Sequence, residues 1–159
     1  MLTAIDIRRL RLADLASIER VERRAYPTPW SRTMFAGEIA KPTSLCFGGF
    51  AGDSLAGYII VSRHVDAWHV MNVAVDEPFR RQGLAQRMLE TVFAETADDG
   101  TRGYTLEVRV SNHGAIRLYE RLRFEPTGIR RGYYTDNRED ALIMWRDAAA
   151  GDVAGDDDA

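Results

Sequence analysis

One cysteine, Cys46, stands in a chain of 159 residues, so no internal disulfide can form and the thiol usage suits a reducing compartment. The three histidines, His64, His69 and His113, match no metal-ligand spacing; structural or surface roles are expected of them, and no metal site. No apolar run nears the ~20 residues that a membrane helix requires. The opening Met1-Leu2-Thr3-Ala4-Ile5-Asp6 has no basic stretch leading into an apolar one, so no secretory leader is read there. A strong basic excess is missing too. The formal net charge is −3, and no basic residues interleave with aromatic ones, which argues against nucleic acid as a partner. These absences exclude membrane-spanning, secreted, zinc-finger and nucleic-acid-binding classes and point to a cytoplasmic protein.

What is present reads as one folded domain. Hydrophobic residues make up 45% and charged residues 28%, a globular composition long enough to bury its own core. Five of the 24 acidic residues lie in the last thirteen positions, which hold no base, so the rest of the chain is near +2. A domain over residues 1–146 and an acidic, disordered, solubilising tail over 147–159 are expected. Along the domain, Ile5–Leu10 reads as a strand, and Leu15, Ile18 and Val21 mark a helix with Asp14 in its first turn. Pro27 and Pro29 bar a helix across Tyr26–Trp30. Ser31 then caps a second helix, with Trp30 and Phe35 at the spacing of a hydrophobic staple. Ser44–Phe50 and Leu55–Ser62 flank a turn as a hairpin, and Trp68–Val75 is a further strand. Leu84, Met88, Leu89, Val92 and Phe93 form one face of a long helix ending near Asp98-Asp99-Gly100. Tyr104–Val110 is a strand, and Ser111 or Asn112 caps a helix with the face Ala115, Leu118, Tyr119 and Leu122. Ile129–Tyr134 and Ala141–Trp145 close the chain as a second hairpin. Hairpins together with helical crossovers define an α/β (α+β) chain with a mixed sheet of about seven strands and about four helices.

The segment Val73-Ala74-Val75-Asp76-Glu77-Pro78-Phe79-Arg80-Arg81-Gln82-Gly83-Leu84-Ala85 carries the most chemistry. A strand passes through a basic, glycine-containing turn into a helix N-terminus, where free N–H groups and the helix dipole favour an anion such as phosphate. Gly83 lets the backbone approach a pyrophosphate closely. The same residues also suit an ordinary turn with solvated arginines. Neither the Walker loop nor the three-glycine dinucleotide pattern is present.

In its order of elements, with Arg81-Gln82-Gly83-Leu84-Ala85 after the strand, the chain resembles the GNAT acetyltransferase superfamily over residues 5 to about 146. Pro29-Trp30-Ser31, Asn72-Val73-Ala74-Val75-Asp76, Leu106-Glu107-Val108-Arg109 with Ser111-Asn112, Leu118-Tyr119-Glu120, Arg130-Arg131 with Tyr133-Tyr134, and Arg138-Glu139-Asp140-Ala141 are together similar to the RimI-type N-terminal alanine acetyltransferases. The resemblance implies a twisted sheet splayed between the fourth and fifth strands. It implies an enzyme, with acetyl-CoA as co-substrate and no metal. The acceptor is the free α-amine of a protein N-terminus, that of a small-subunit ribosomal protein beginning with alanine. Carried over by position, Val73, Ala74 and Val75 hold the pantetheine arm. Arg81, Gln82, Gly83, Leu84, Ala85 and Gln86 cradle the pyrophosphate, and Asn112 contacts the cofactor. Glu107 is the general base and Tyr119 the general acid. Trp30, Tyr133 and Tyr134 meet the acceptor, and the enzyme acts as a monomer or weak dimer.

Those roles are chemically coherent. An N-terminal amine with a pKa near ~8 must lose a proton before it attacks, and a strand carboxylate can accept it directly or through a water, with Glu77 a second candidate for sharing that work. A phenol can then supply a proton to the departing thiolate. Asn72 interrupts the strand alternation, which suits a bulge freeing an N–H to stabilise developing charge on the thioester oxygen. Plainer roles stand beside these: Glu107 as a surface charge, Tyr119 as a core tyrosine, Trp30 as a staple only. Tyr133 and Tyr134, adjacent on a strand, are expected on opposite faces. Cys46 is expected to be a buried, inert thiol rather than an acetyl carrier. Ala85 replaces the usual second glycine. Arg123 stands where the family has glycine at a helix end, at a cost of about 1 kcal/mol or a shifted cap. Two other readings remain: a GNAT enzyme with another acceptor (a lysine side chain, broader N-termini, a small metabolite), and a non-catalytic acyl-CoA sensor.

Overall fold

The computed structural model describes residues 4–151; burial is nearly continuous along the central strand β3, alternates along β5, and follows an i, i+3, i+4 stripe on α1 and α3. In chain order they are β1 (Asp6–Arg9), α1 (Leu15–Ala25), α2 (Arg32–Ala40), β2 (Ser44–Ala51), β3 (Ser54–His64), β4 (Ala67–Val75), α3 (Leu84–Thr96), β5 (Gly103–Arg109), α4 (His113–Arg121), β6 (Glu125–Arg130) and β7 (Ala141–Asp147), with short 3-10 turns at Leu12–Asp14 and Glu77–Phe79. The seven strands form one mixed sheet in the order β1-β2-β3-β4-β5-β7-β6. β4 and β5 run parallel but pair only from Ala67 to His69 against Gly103 to Thr105, which is the splay expected between the fourth and fifth strands. The backbone divides into two units: residues up to Arg63 with Met71–Thr96, and His64–Val70 with Ala97 onward.

In the first unit, Ile18 and Val21 of α1 and Phe35 of α2 pack with Phe50, Leu55, Tyr58 and Ile60 of the sheet. The Ser31 hydroxyl accepts from the Met34 N–H at 3.2 Å, and Trp30 lies 5.1 Å from Phe35, so cap and staple form together. Asp14 precedes α1 rather than entering its first turn, where it accepts from Arg8 and from the Arg11 N–H. Cys46 is buried, and burial, then Glu38, pushes its thiol up to about 12, which leaves it inert.

In the second unit, Tyr104, Leu106 and Val108 of β5 are buried while Thr105, Glu107 and Arg109 alternate onto the half-buried face. Several expectations are corrected here. The first strand of the last hairpin is Glu125–Arg130, not Ile129–Tyr134. It lies at the sheet edge, where Pro126 needs no ladder N–H, and it absorbs a register shift between Pro126 and Gly128. Tyr133 and Tyr134 therefore sit in the following loop, not on a strand. Gly132, at φ +59 and donating to Asp140 at 2.8 Å, ends the extended backbone, and the two rings pack edge to face at 5.1 Å. β7 runs through Asp147, so the last strand takes in the first residue assigned to the tail; residues 152–159 lie outside those described. α3, in the first unit, ends at Thr96, close to the expected end near Asp98-Asp99-Gly100.

Helix α4 ends in a Schellman motif built on an arginine. Phe124 N–H donates to the Tyr119 carbonyl and Arg123 N–H to the Glu120 carbonyl, both at 3.0 Å, while Arg123 takes φ +73. Tyr119 and Phe124 supply the apolar contact across it, their rings 5.7 Å apart. Glycine would hold that backbone without the left-handed penalty but would gain entropy in the unfolded chain. Arg123→Gly should therefore stabilise by about 0.5–1 kcal/mol, a rise of ~1–4 °C in Tm by calorimetry. A fall in Tm would mean that the arginine side chain contributes more than the strain it imposes.

Candidate active site

In the first unit, the backbone curls before α3 with φ +63 at Arg81 and +75 at Gly83. A Cβ at Gly83 would meet no heavy atom within 4 Å, so the approach to this turn is open. The first bond of the helix, Arg87 N–H to the Gly83 carbonyl at 3.0 Å, leaves the N–H groups of Leu84, Ala85 and Gln86 without intrahelical acceptors. Three donors at the positive end of a thirteen-residue helix fit an anion of pyrophosphate type. On β4 the Val73 carbonyl accepts from the Tyr26 hydroxyl and the Val75 carbonyl from Arg80 Nε at 3.0 Å; Ala74 is buried between them. Glu77 is exposed at the start of its 3-10 turn.

Trp30 belongs to a polar anchor that the sequence reading missed. Glu22, 1% exposed, accepts from the Tyr58 hydroxyl, from Asn72 Nδ2 at 3.0 Å and from the Trp30 N–H at 3.0 Å. One carboxylate thereby ties α1, β3, β4 and the loop before α2. Trp68, Val70 and Ala74 are buried in a single phase along β4 with half-buried Asn72 between them. The break in alternation at Asn72 thus has a side-chain cause, its bond to Glu22. The available signal was the position of Glu22 itself, four residues after Ile18 on the buried stripe of α1.

In the second unit, Glu107 is the centre of a polar cluster. His69 Nε2 lies 2.9 and 3.1 Å from its two carboxylate oxygens, and the Tyr133 hydroxyl donates to Oε1 at 3.3 Å. Burial pushes the Glu107 carboxyl up, but the His69 hydrogen bond and charge, Arg130 and Tyr133 outweigh it, so the group lies below the ordinary carboxylate value. It is an ionised acceptor at neutral pH, and the surface-charge role is displaced. Arg109, two residues along β5, fixes the tyrosine loop: it donates to both oxygens of Asp136 at 3.0 Å and to Glu139 at 3.3 Å, and its guanidinium lies 4.0 Å from the Tyr134 ring centre. Tyr133 and Tyr134 are thus held beside β5.

Tyr119 faces inward on α4 and packs on Phe124. Burial, then Tyr134, pushes its hydroxyl up to about 12, so it stays protonated at neutral pH. The Asn112 side chain caps α4, its Oδ1 accepting from the Ala115 N–H at 3.2 Å. Glu107, Tyr133 and Tyr134 are therefore one group with His69, which sequence reasoning had left as structural. No group of His, Cys, Asp and Glu able to hold a metal occurs among the described residues.

The first unit thus holds a strand leading into an open, left-handed turn at a helix N-terminus, and the second an ionised acid on β5 beside loop tyrosines. Residues 15–124 match the acetyltransferase (GNAT) family. The chain belongs to that family, whose members take an acetyl group from acetyl-CoA. More particularly, it is 39% identical over 137 residues to the [ribosomal protein bS18]-alanine N-acetyltransferase of Escherichia coli (strain K12), covering 85% of this chain and 92% of that one. It is 31% identical to the N-alpha-acetyltransferase of Saccharolobus solfataricus, over 88% and 91% of the two chains. The crystal structure of the ribosomal-protein-S18-alanine N-acetyltransferase from Escherichia coli matches with a TM-score of 0.85 at 37% identity, over 93% of this chain and 96% of the other.

Proposed function

We propose that this enzyme acetylates the free α-amine of a protein N-terminus, that of a small-subunit ribosomal protein beginning with alanine, in the cytoplasm. The observation that carries the reading is Glu107: a carboxylate held ionised on β5, bridged by His69 and flanked by Tyr133. A sensor of acyl-CoA needs no such base. The similarity to alanine N-acetyltransferases over most of both chains supports the choice of acceptor.

Acetyl-CoA supplies the activated acetyl group. The N–H groups of Leu84, Ala85 and Gln86, with the turn Arg81-Gln82-Gly83, hold its pyrophosphate; Val73, Ala74, Val75 and Asn112 contact its pantetheine arm. Glu107 takes the proton from the incoming ammonium. The amine nitrogen then bonds to the acyl carbon as the carbon–sulfur bond breaks, and the sulfur leaves with the electron pair. Tyr119, protonated at neutral pH, gives its proton to that sulfur, the second proton shed by the new amide nitrogen returns to the Tyr119 oxygen, and Glu107 releases its proton to solvent. Trp30, Tyr133 and Tyr134 meet the acceptor peptide.

A peptide panel tests the acceptor. Turnover with acetyl-CoA should be at least tenfold higher on a free N-terminal alanine peptide than on a lysine peptide blocked at its N-terminus. Preference for the lysine peptide would keep the family and discard this acceptor.

A further inference from the structure

We propose that His69 is a positioning residue for the proton acceptor: its Nε2–H bridges both oxygens of Glu107 and fixes the carboxylate for proton abstraction. The inference rests on the assignment of Glu107 as the base. An ionised carboxylate offers only acceptors, so the proton between the two groups lies on Nε2. Both distances, 2.9 and 3.1 Å, are hydrogen-bonding ones, and a two-oxygen contact fixes rotation as well as place.

The backbone sets this geometry. His69 pairs with Thr105 at the last parallel step between β4 and β5, so Glu107, two residues on, is its diagonal neighbour on the same face. The ring is restrained by His64, packed edge to face at 5.8 Å, and the next residue back, Trp68, is tied to Asp99 at 2.8 Å. The other titratable or charged groups facing Glu107 are Arg130 from β6 and Tyr133 and Tyr134 from the loop beyond it. Burial is the largest single influence on Glu107 and favours its neutral form; His69 supplies the two largest opposing influences. Without His69, burial is opposed only by Arg130 and Tyr133, and the acceptor is both loosened and more easily protonated.

The experiment compares His69→Ala and His69→Gln, with carbon-13 NMR of labelled glutamate carboxyls, the Glu107 signal being identified by its loss in Glu107→Gln. The glutamine amide nitrogen stands near the place of Nε2 and donates without titrating. His69→Ala should lower kcat about tenfold or more with the acetyl-CoA KM unchanged. It should also raise the Glu107 titration by a pH unit or more and steepen the acid side of the kcat/KM profile. His69→Gln should recover most of kcat. An unmoved Glu107 titration in His69→Ala overturns the proposal. So does a His69→Gln enzyme as slow as His69→Ala, which would mean that the imidazole itself carries the proton. Undiminished turnover in Glu107→Gln would instead remove the base assignment, and this role of His69 in catalysis with it, while the NMR coupling still reports whether the bridge exists.

Discussion

Replacing Glu107 by glutamine should lower kcat by about 10²- to 10⁴-fold, the range expected for loss of a positioned general base. Shape and volume hardly change, and the Tyr133 hydroxyl can still donate to the amide oxygen, so the acetyl-CoA KM should stay within about twofold. The pH dependence separates the Glu107 carboxylate from the acceptor amine. The Glu107 carboxyl lies below the ordinary carboxylate value, so it is already ionised from mildly acidic pH upward. The wild-type rate should then climb with pH as the acceptor amine, with its pKa near ~8, loses its own proton. The variant, with no group to take the ammonium proton, should depend on the free amine alone and climb more steeply than the wild type, so the gap between the two enzymes should narrow above pH ~8. Steady-state kinetics over pH 5.5–9 give all three quantities. Turnover within tenfold of wild type at neutral pH would take Glu107 out of the base role.

The second large effect is on stability. Glu22→Ala strips the acceptor from three donors at once, among them the hydroxyl of fully buried Tyr58. A buried donor left unpaired costs about 1–3 kcal/mol, and the three share one site, so their losses do not simply add. A destabilisation of about 3–5 kcal/mol is expected, lowering Tm by roughly 10 °C. Glu22→Gln, which keeps one accepting oxygen but turns an N–H toward the donors, should fall between. A drop under 2 °C for the alanine variant would show that water replaces the carboxylate there. Because Trp30, proposed to meet the acceptor peptide, hangs on Glu22 through its backbone, the folded variant should lose more affinity for the peptide than for acetyl-CoA.

Much of this was legible in the residues, wherever the information was local. The staple of Trp30 on Phe35, the Ser31 cap and the period-two burial of β5 follow from spacings of a few residues. The open turn at Gly83 could be read because a strand end, a glycine and a helix start fall within one short segment. Glu107 and Tyr119 were named through a family resemblance carried by several such segments. The misreading of Ile129–Tyr134 shows where local reading fails. Pro126 and Gly128 look like strand breakers in isolation, yet an edge strand tolerates both, and which strand is the edge is a property of the whole sheet.

The sequence by itself therefore determined the element order, the α/β class and the glycine turn before α3, because each depends on periodicity or on chemistry held within one segment, and it named the candidate acid and base through the family resemblance. Only the tertiary structure decided what surrounds them. His69 and Glu107 lie 38 residues apart and meet because a parallel register sets Thr105 beside His69. Tyr133 and Tyr134 share one loop because Arg109, Asp136 and Glu139 close it onto β5. Glu22 is a satisfied anchor because Tyr58, Asn72 and Trp30 converge on it from three elements. The physical reason is the same in each case: a hydrogen bond acts over about 3 Å, and which distant residues come that close is set by strand register and packing, not by their spacing along the chain.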